Sequence, residues 1–128
     1  MKKTLAVLGL LATALLGLSA CAAAASTDLV GVWGDPENEG SPSLEFTAGA
    51  DDAEGEYSGT DGCNRVGGAY TVSGTTVDLG MMRSTLMFCE GVDTWLSEAR
   101  TATLEGDALA FLDEDGQQIG TLARQSGS

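Results

Sequence analysis

Apolar residues in this chain follow two regimes. From Leu5 to Leu18 they form an almost unbroken run, whereas from Leu29 onward they come in short stretches, most of them closed by glycine or acidic residues. The short stretches are mostly of β character: Leu29 to Trp33, Leu44 to Thr47, Glu56 to Thr60, Ala69 to Val72 and Thr76 to Leu79. Val72-Ser73-Gly74-Thr75 predicts a tight turn between two strands. Asp113-Glu114-Asp115-Gly116 predicts a second, between Ala108 to Leu112 and Gln118 to Ala123. One stretch has another period. Val92, Trp95, Leu96 and Ala99 stand at i, i+3, i+4 and i+7, which predicts a short amphipathic helix from about Val92 to Arg100. Asp35 to Ser43 and Ala48 to Glu56 are rich in Gly, Pro, Asp and Glu and read as loops. The order predicts an α+β domain that is mainly β: an antiparallel curved sheet or incomplete β-barrel, with one short helix packed against it over an open edge.

The first apolar run has a separate meaning. Lys2 and Lys3 precede it, it is 14 residues long, and no positive flank closes it. A helix crossing a bilayer needs roughly 20 apolar residues, so the pattern is that of an export leader over residues 1–20. Leu18-Ser19-Ala20-Cys21 resembles the bacterial lipobox. That resemblance implies acylation of Cys21, palmitate among the chains, and cleavage that leaves Cys21 as the first residue. Each buried methylene of such a chain contributes about 0.8 kcal/mol to membrane attachment. The expected localisation is export, with the chain lipid-anchored at the outer face of the cell membrane. The alternative is an ordinary leader with Cys21 incidental. Residues 21–28 read as a tether, 29–124 as one domain and 125–128 as a tail.

Charge narrows the partners. Without the leader, four arginines stand against all 19 acidic residues, a formal charge of −15. Such a chain repels phosphate backbones, so nucleic acid is excluded as a partner. Apart from lipid, the partners left are an envelope protein or a small apolar ligand, with the domain itself a monomer.

Gly59-Thr60-Asp61-Gly62-Cys63-Asn64-Arg65-Val66-Gly67-Gly68-Ala69-Tyr70 resembles the glycine-cysteine-asparagine signature of the META/HslJ domain family. Ser84-Thr85-Leu86-Met87-Phe88-Cys89-Glu90 is similar to that family's second motif, a threonine and methionine leading to a cysteine. Leu29-Val30-Gly31-Val32-Trp33 fits its opening strand. The motif positions carried over are Gly59, Gly62, Cys63, Asn64, Arg65, Gly68, Tyr70, Thr85, Met87 and Cys89. The resemblance spans about Leu29 to Arg124 and departs in the acidic stretch Asp35 to Glu56. It implies a small β-rich envelope domain, loosely linked to stress response, and no known reaction.

Read physically, the glycines around Cys63 shape a tight corner between strands. Asn64 is expected to bond its own backbone and hold that turn, Tyr70 to place its ring in the core, and Arg65 to pair with a nearby carboxylate. With Cys21 acylated, Cys63 and Cys89 are the remaining thiols, and an oxidising compartment favours their disulfide. A redox or metal-binding pair is the competing reading, without Cys-x-x-Cys spacing or any histidine behind it. Met81, Met82 and Met87 are expected in the core rather than around copper, and Trp33 and Trp95 as core anchors. Asp113, Glu114 and Asp115 fit turn chemistry better than calcium. No metal or cofactor is assigned.

No histidine, Gly-x-Ser-x-Gly turn or free cysteine beside a base supports catalysis. The expected function is therefore a noncatalytic envelope binding or stress-related module of unknown ligand. A copper- or calcium-binding protein, a carboxylate-based hydrolase and a structural subunit of an envelope complex are its rivals. Intact mass spectrometry of the native protein is expected to show acyl mass on a chain beginning at Cys21. The Cys21→Ser variant should lack it, and an unacylated native chain starting elsewhere would mean an ordinary leader.

Overall fold

In a computed structural model, the structure describes residues 29–125. The leader, Cys21 and the tether lie outside them. Among the described residues nine strands form one antiparallel sheet: β1 Gly31–Gly34, β2 Ser43–Ala48, β3 Glu54–Thr60, β4 Arg65–Ser73, β5 Thr76–Asp78, β6 Arg83–Ser84, β7 Thr101–Glu105, β8 Ala108–Leu112 and β9 Gln118–Ala123. The lateral order is β1-β2-β3-β4-β5-β7-β8-β9, with β6 also paired to β4. The expected open edge is nearly absent. A bridge between Trp33 and Arg124 and a bond from Gln125 N to Val32 O (2.9 Å) join β1 to the end of β9, so the sheet curls into a nearly closed barrel. Closure satisfies backbone groups that an open sheet would leave for another chain.

Alternation along the strands fills the barrel. Trp33, Leu44, Phe46, Tyr57, Val66, Tyr70, Val77, Leu109, Phe111 and Leu122 are buried together with Leu29, Leu79 and Leu96. Both predicted hairpin turns are present, joining β4 to β5 and β8 to β9. The acidic loops are shorter than their composition suggests. Glu54, Gly55 and Glu56 already belong to β3, because the two carboxylates point outward while Gly55 lies under Tyr70.

Glycine opposite tyrosine is the packing device of β3 and β4. Register places Tyr57 across from Gly68 and Tyr70 across from Gly55. A Cβ on Gly68 would stand 2.7 Å from the Tyr57 hydroxyl, and one on Gly55 2.6 Å from that of Tyr70. Each ring therefore occupies space that any other residue would fill. Phe46 completes the cluster, 5.7 Å from the Tyr57 ring and 5.3 Å, edge-on, from that of Tyr70. The hydroxyls donate to Leu79 O (2.8 Å) and Thr47 O (3.0 Å).

The predicted helix from Val92 to Arg100 is reduced to one 3-10 turn, Trp95–Glu98. Leu96 and Ala99 are buried at the three-residue spacing of such a turn. Ala99 is extended, and Arg100 N bonds Leu112 O (2.8 Å), so the chain is already being drawn into the sheet. Nine residues without a capping side chain do not sustain a helix against that pull. Trp95 instead packs over Gly120 and beside Phe111, 5.8 Å between rings. The strand into which the chain is drawn, β7, carries little sequence signal, since Thr101-Ala102-Thr103 buries only a methyl-sized side chain at Ala102.

Burial pushes the Tyr57 hydroxyl up from 10.0 to about 12, although Arg83 and Arg100 draw it back. Burial also raises Tyr70, with Asp52 adding to it. Below the unfolded value near pH 10 both states of Tyr57 are neutral, and its contribution is fully present. It is lost as pH rises through about 12, because the unfolded chain ionises first. Urea unfolding is thus expected to show stability falling between about pH 10 and 12. Tyr57→Phe should flatten that limb, apart from the part due to Tyr70, and cost about 0.5–1.5 kcal/mol at neutral pH through the lost bond to Leu79. An unchanged alkaline limb in the variant would contradict the assignment.

Candidate functional site

The β3–β4 corner is built by Asp61, a residue to which the sequence reading gave no role. Its Oδ1 accepts from Cys63 N (2.9 Å) and Asn64 N (2.6 Å), and its own N donates to Asn64 O (3.0 Å). Gly62 takes a φ of 103°, and its N donates to Thr60 Oγ1 (3.0 Å). Asp61 is fully buried, with Oδ2 unpartnered among the described residues. An aspartate closing its own turn two and three residues on is a recognisable local pattern, and Asp61-Gly62-Cys63-Asn64 carried that signal.

With the turn held by Asp61, Asn64 is released for a different task than the one expected of it. Its buried side chain crosses to the segment after β6. Oδ1 accepts from Met87 N (2.6 Å) and Thr85 Oγ1 (2.9 Å), and Nδ2 donates to Met87 O (3.4 Å). The amide thus pairs with Met87 as a strand backbone would. Thr85 adds two more ties: its Oγ1 accepts from Arg65 N (3.1 Å), and its N donates to Arg65 O (3.1 Å). Two residues beyond Met87, Cys89 is disulfide-bonded to Cys63, with Cα atoms 5.8 Å apart. Closing this loop of 26 residues contributes roughly 3 kcal/mol in the chain-entropy picture.

These fastenings hold a segment whose side chains are bare. Leu86 is 98%, Phe88 90% and Met87 62% exposed, and nearby Met81 80%. The expectation of methionines in the core is therefore corrected: only Met82 packs against it. Asn64 grips the backbone of Met87, which turns the side chains of this short stretch outward. The copper arrangement lacks its thiolate, since the sulfur of Cys89 is bonded to Cys63.

Of the other motif residues, Gly68 and Tyr70 serve the core. A Cβ on Gly59 would collide with the Ser43 carbonyl, so β2 and β3 approach closely there. Arg65 is exposed, and the expected carboxylate partner is not there: among the described residues the ion pair observed is Arg124 with Asp107, at 3.7 Å. Asp113 is a turn residue, its Oδ1 accepting from Asp115 N and Gln117 N. Three loops meet at this end of the barrel, because a Cβ on Gly62 would lie 2.8 Å from Gly40 O and 3.1 Å from Val92. They carry Asp35, Glu37 and Glu39 on one side and Glu90 and Asp93 on the other, all exposed, with no basic residue in 35–42 or 85–94.

Comparison with known proteins gives one family. The META domain profile matches residues 25–126. An NMR structure of a protein from Burkholderia xenovorans is similar to this chain at 15% identity and a TM-score of 0.49, covering 94% of this chain and 99% of that one. No curated protein sequence matches it.

Asn64→Ala strands Met87 N and the Thr85 hydroxyl, and is expected to destabilise the fold by about 1–3 kcal/mol. Amide hydrogen exchange should quicken first at Met87. An equal loss of protection throughout the sheet, with no excess at 85–87, would mean that Asn64 supports the core rather than the loop.

Proposed function

Because the chain belongs to the META domain family, which is not known for any enzyme activity, we propose that it is a noncatalytic binding module of the cell envelope. In this reading it is exported, anchored at the outer face of the membrane through acylated Cys21, and presents the loop Leu86-Met87-Phe88 to an envelope protein. The observation that carries the reading is the pairing of rigid backbone with bare apolar side chains at that loop. A fold that exposes three consecutive large apolar residues on a fastened backbone keeps them ready for contact, with little ordering cost left on binding. Each contributes roughly 1.5–3 kcal/mol when covered.

The surroundings indicate what covers them. Glu90 and Asp93 follow the apolar tip in the chain, and the loop with Asp35, Glu37 and Glu39 meets the Gly62 corner next to the Cys63–Cys89 link; this negative charge opposes an anionic bilayer and suits an apolar pocket with a lysine- and arginine-rich rim. Interior ligand binding finds less support, since the barrel is filled by its own aromatic and aliphatic side chains.

The test is photocrosslinking in cells from a reactive residue at position 86 of the full chain. A discrete protein adduct is expected that weakens with added salt and disappears when Phe88→Ser is introduced. The thermal midpoint of that variant should remain close to the parent's, because Phe88 is exposed. Lipid adducts alone, or an adduct indifferent to both salt and Phe88→Ser, would overturn the reading.

A further inference from the structure

The domain has four arginines, and the structure divides them in two. Arg124 pairs with Asp107 and lies over the Trp33 ring, 4.3 Å from its centroid. Arg100 donates Nη1 to Ala99 O (3.3 Å). Arg65 and Arg83 are exposed, and among the described residues neither guanidinium has an ion-pair or hydrogen-bond acceptor. This is unexpected in a region with 18 carboxylates among its described residues.

The two are also neighbours. Gly67 pairs with Arg83 and Val66 with Ser84, while Thr85 N bonds Arg65 O. Arg65 and Arg83 therefore stand diagonally on the outer face of β4 and β6, with Cα atoms about 7–8 Å apart. Gly67 between them contributes no side chain, and Arg83 Nη2 lies 3.1 Å from where its Cβ would be. The result is an open notch of about 330 Å³ lined by Arg65, Val66, Gly67, Arg83, Ser84 and Thr85.

We propose that this notch binds a small phosphate monoester or inorganic phosphate. Two like charges on one face repel, and a dianion between them relieves the repulsion while accepting from both forks. A single carboxylate is satisfied by one guanidinium and makes less use of the pair. The hydroxyls in the notch are engaged, Ser84 Oγ donating to Thr85 O (2.9 Å) and Thr85 Oγ1 to Asn64, so the guanidiniums are the donors that face a ligand. The chain's high negative charge is compatible with this. It repels extended polyanions, which meet the whole surface, but a small anion in the notch responds mainly to charges within a Debye length of about 8 Å. The site is independent of the apolar tip, since its residues lie on the strands β4 and β6 and end at Thr85.

The test is isothermal titration calorimetry of the full chain at constant ionic strength with sodium phosphate, glycerol 3-phosphate and acetate. Saturable one-site binding of both phosphates is expected, with acetate at least about 10-fold weaker. Arg65→Ala and Arg83→Ala should each weaken phosphate binding about 10-fold or more, and Arg83→Lys, which keeps the charge without the fork, by less. Both arginines are exposed, and near-ultraviolet circular dichroism checks that each variant keeps its packing. Absence of saturable heat, acetate binding as tightly as phosphate, or undiminished binding in the Arg65→Ala/Arg83→Ala double variant overturns the proposal. Co-sedimentation of the mature chain without its acyl groups, so that the anchor itself does not pellet it, identifies the source. Pelleting with phosphatidylcholine vesicles containing phosphatidic acid, but not with phosphatidylcholine alone, and lost in the double variant, assigns the phosphate to a lipid headgroup. Binding of glycerol 3-phosphate without pelleting assigns it to a soluble compound.

Discussion

The side-chain amide of Asn64 pairs with both backbone groups of Met87, and the arrangement of the loop after β6 follows from that contact. Asn64 is buried and the two bonds are part-buried, so water competes for them only in part, and each contributes about 0.5–1.5 kcal/mol. Satisfying them brings the segment after β6 against the start of β4. It also directs Leu86, Met87 and Phe88 away from the core. The Cys63–Cys89 disulfide closes the same segment from its far end. Hydrogen bonds set its geometry, and the cross-link restricts the unfolded chain.

This arrangement requires a corner that needs nothing from Asn64. Asp61 provides it by accepting two backbone bonds within its own turn. Glycine has a similar enabling part in the sheet: Gly55 and Gly68 are empty places into which Tyr70 and Tyr57 fit from the opposite strand. The Tyr57 hydroxyl then bonds Leu79, at the start of the excursion that carries Arg83, Met87 and Cys89. This phenol is a further link between core packing and the exposed loop, beside those from Asn64, Arg65 and Cys63.

Charge follows the same division. Arg124 lies at the seam of the barrel over the face of Trp33, where stacking supports closure and the exposed ion pair with Asp107 adds little. Arg65 and Arg83 lie at the opposite side of the labour, on β4 and β6, without carboxylates of their own chain among the described residues. The loops beyond them are acidic and apolar. One small domain therefore presents two surfaces of different chemistry close together, and neither uses the interior.

Much of this was legible in the residues. Strand alternation located most of the sheet, the turns at Ser73-Gly74 and Asp113 to Gly116 were readable from local chemistry, and the family resemblance and the Cys63–Cys89 pair were visible in the motifs. Local rules govern these features, since side-chain period, positive-φ glycine and Asx turns depend on near neighbours. Other features depended on partners far along the chain. The segment Val92 to Arg100 has helical spacing, yet its end bonds to β8; Thr101 to Glu105 is a strand because it lies between β5 and β8 and pairs with both. The residues around Asn64 suggest a bond within its own turn, because nothing local reveals Met87, 23 residues away. Met81 and Met87 look like core by composition, yet both are exposed, Met87 on a backbone that Asn64 grips. The sequence by itself determined a β domain of the META family with strongly acidic composition. Tertiary pairing alone decided which apolar residues stay outside and that Arg83 comes to rest beside Arg65, because sheet register joins residues that no local pattern relates.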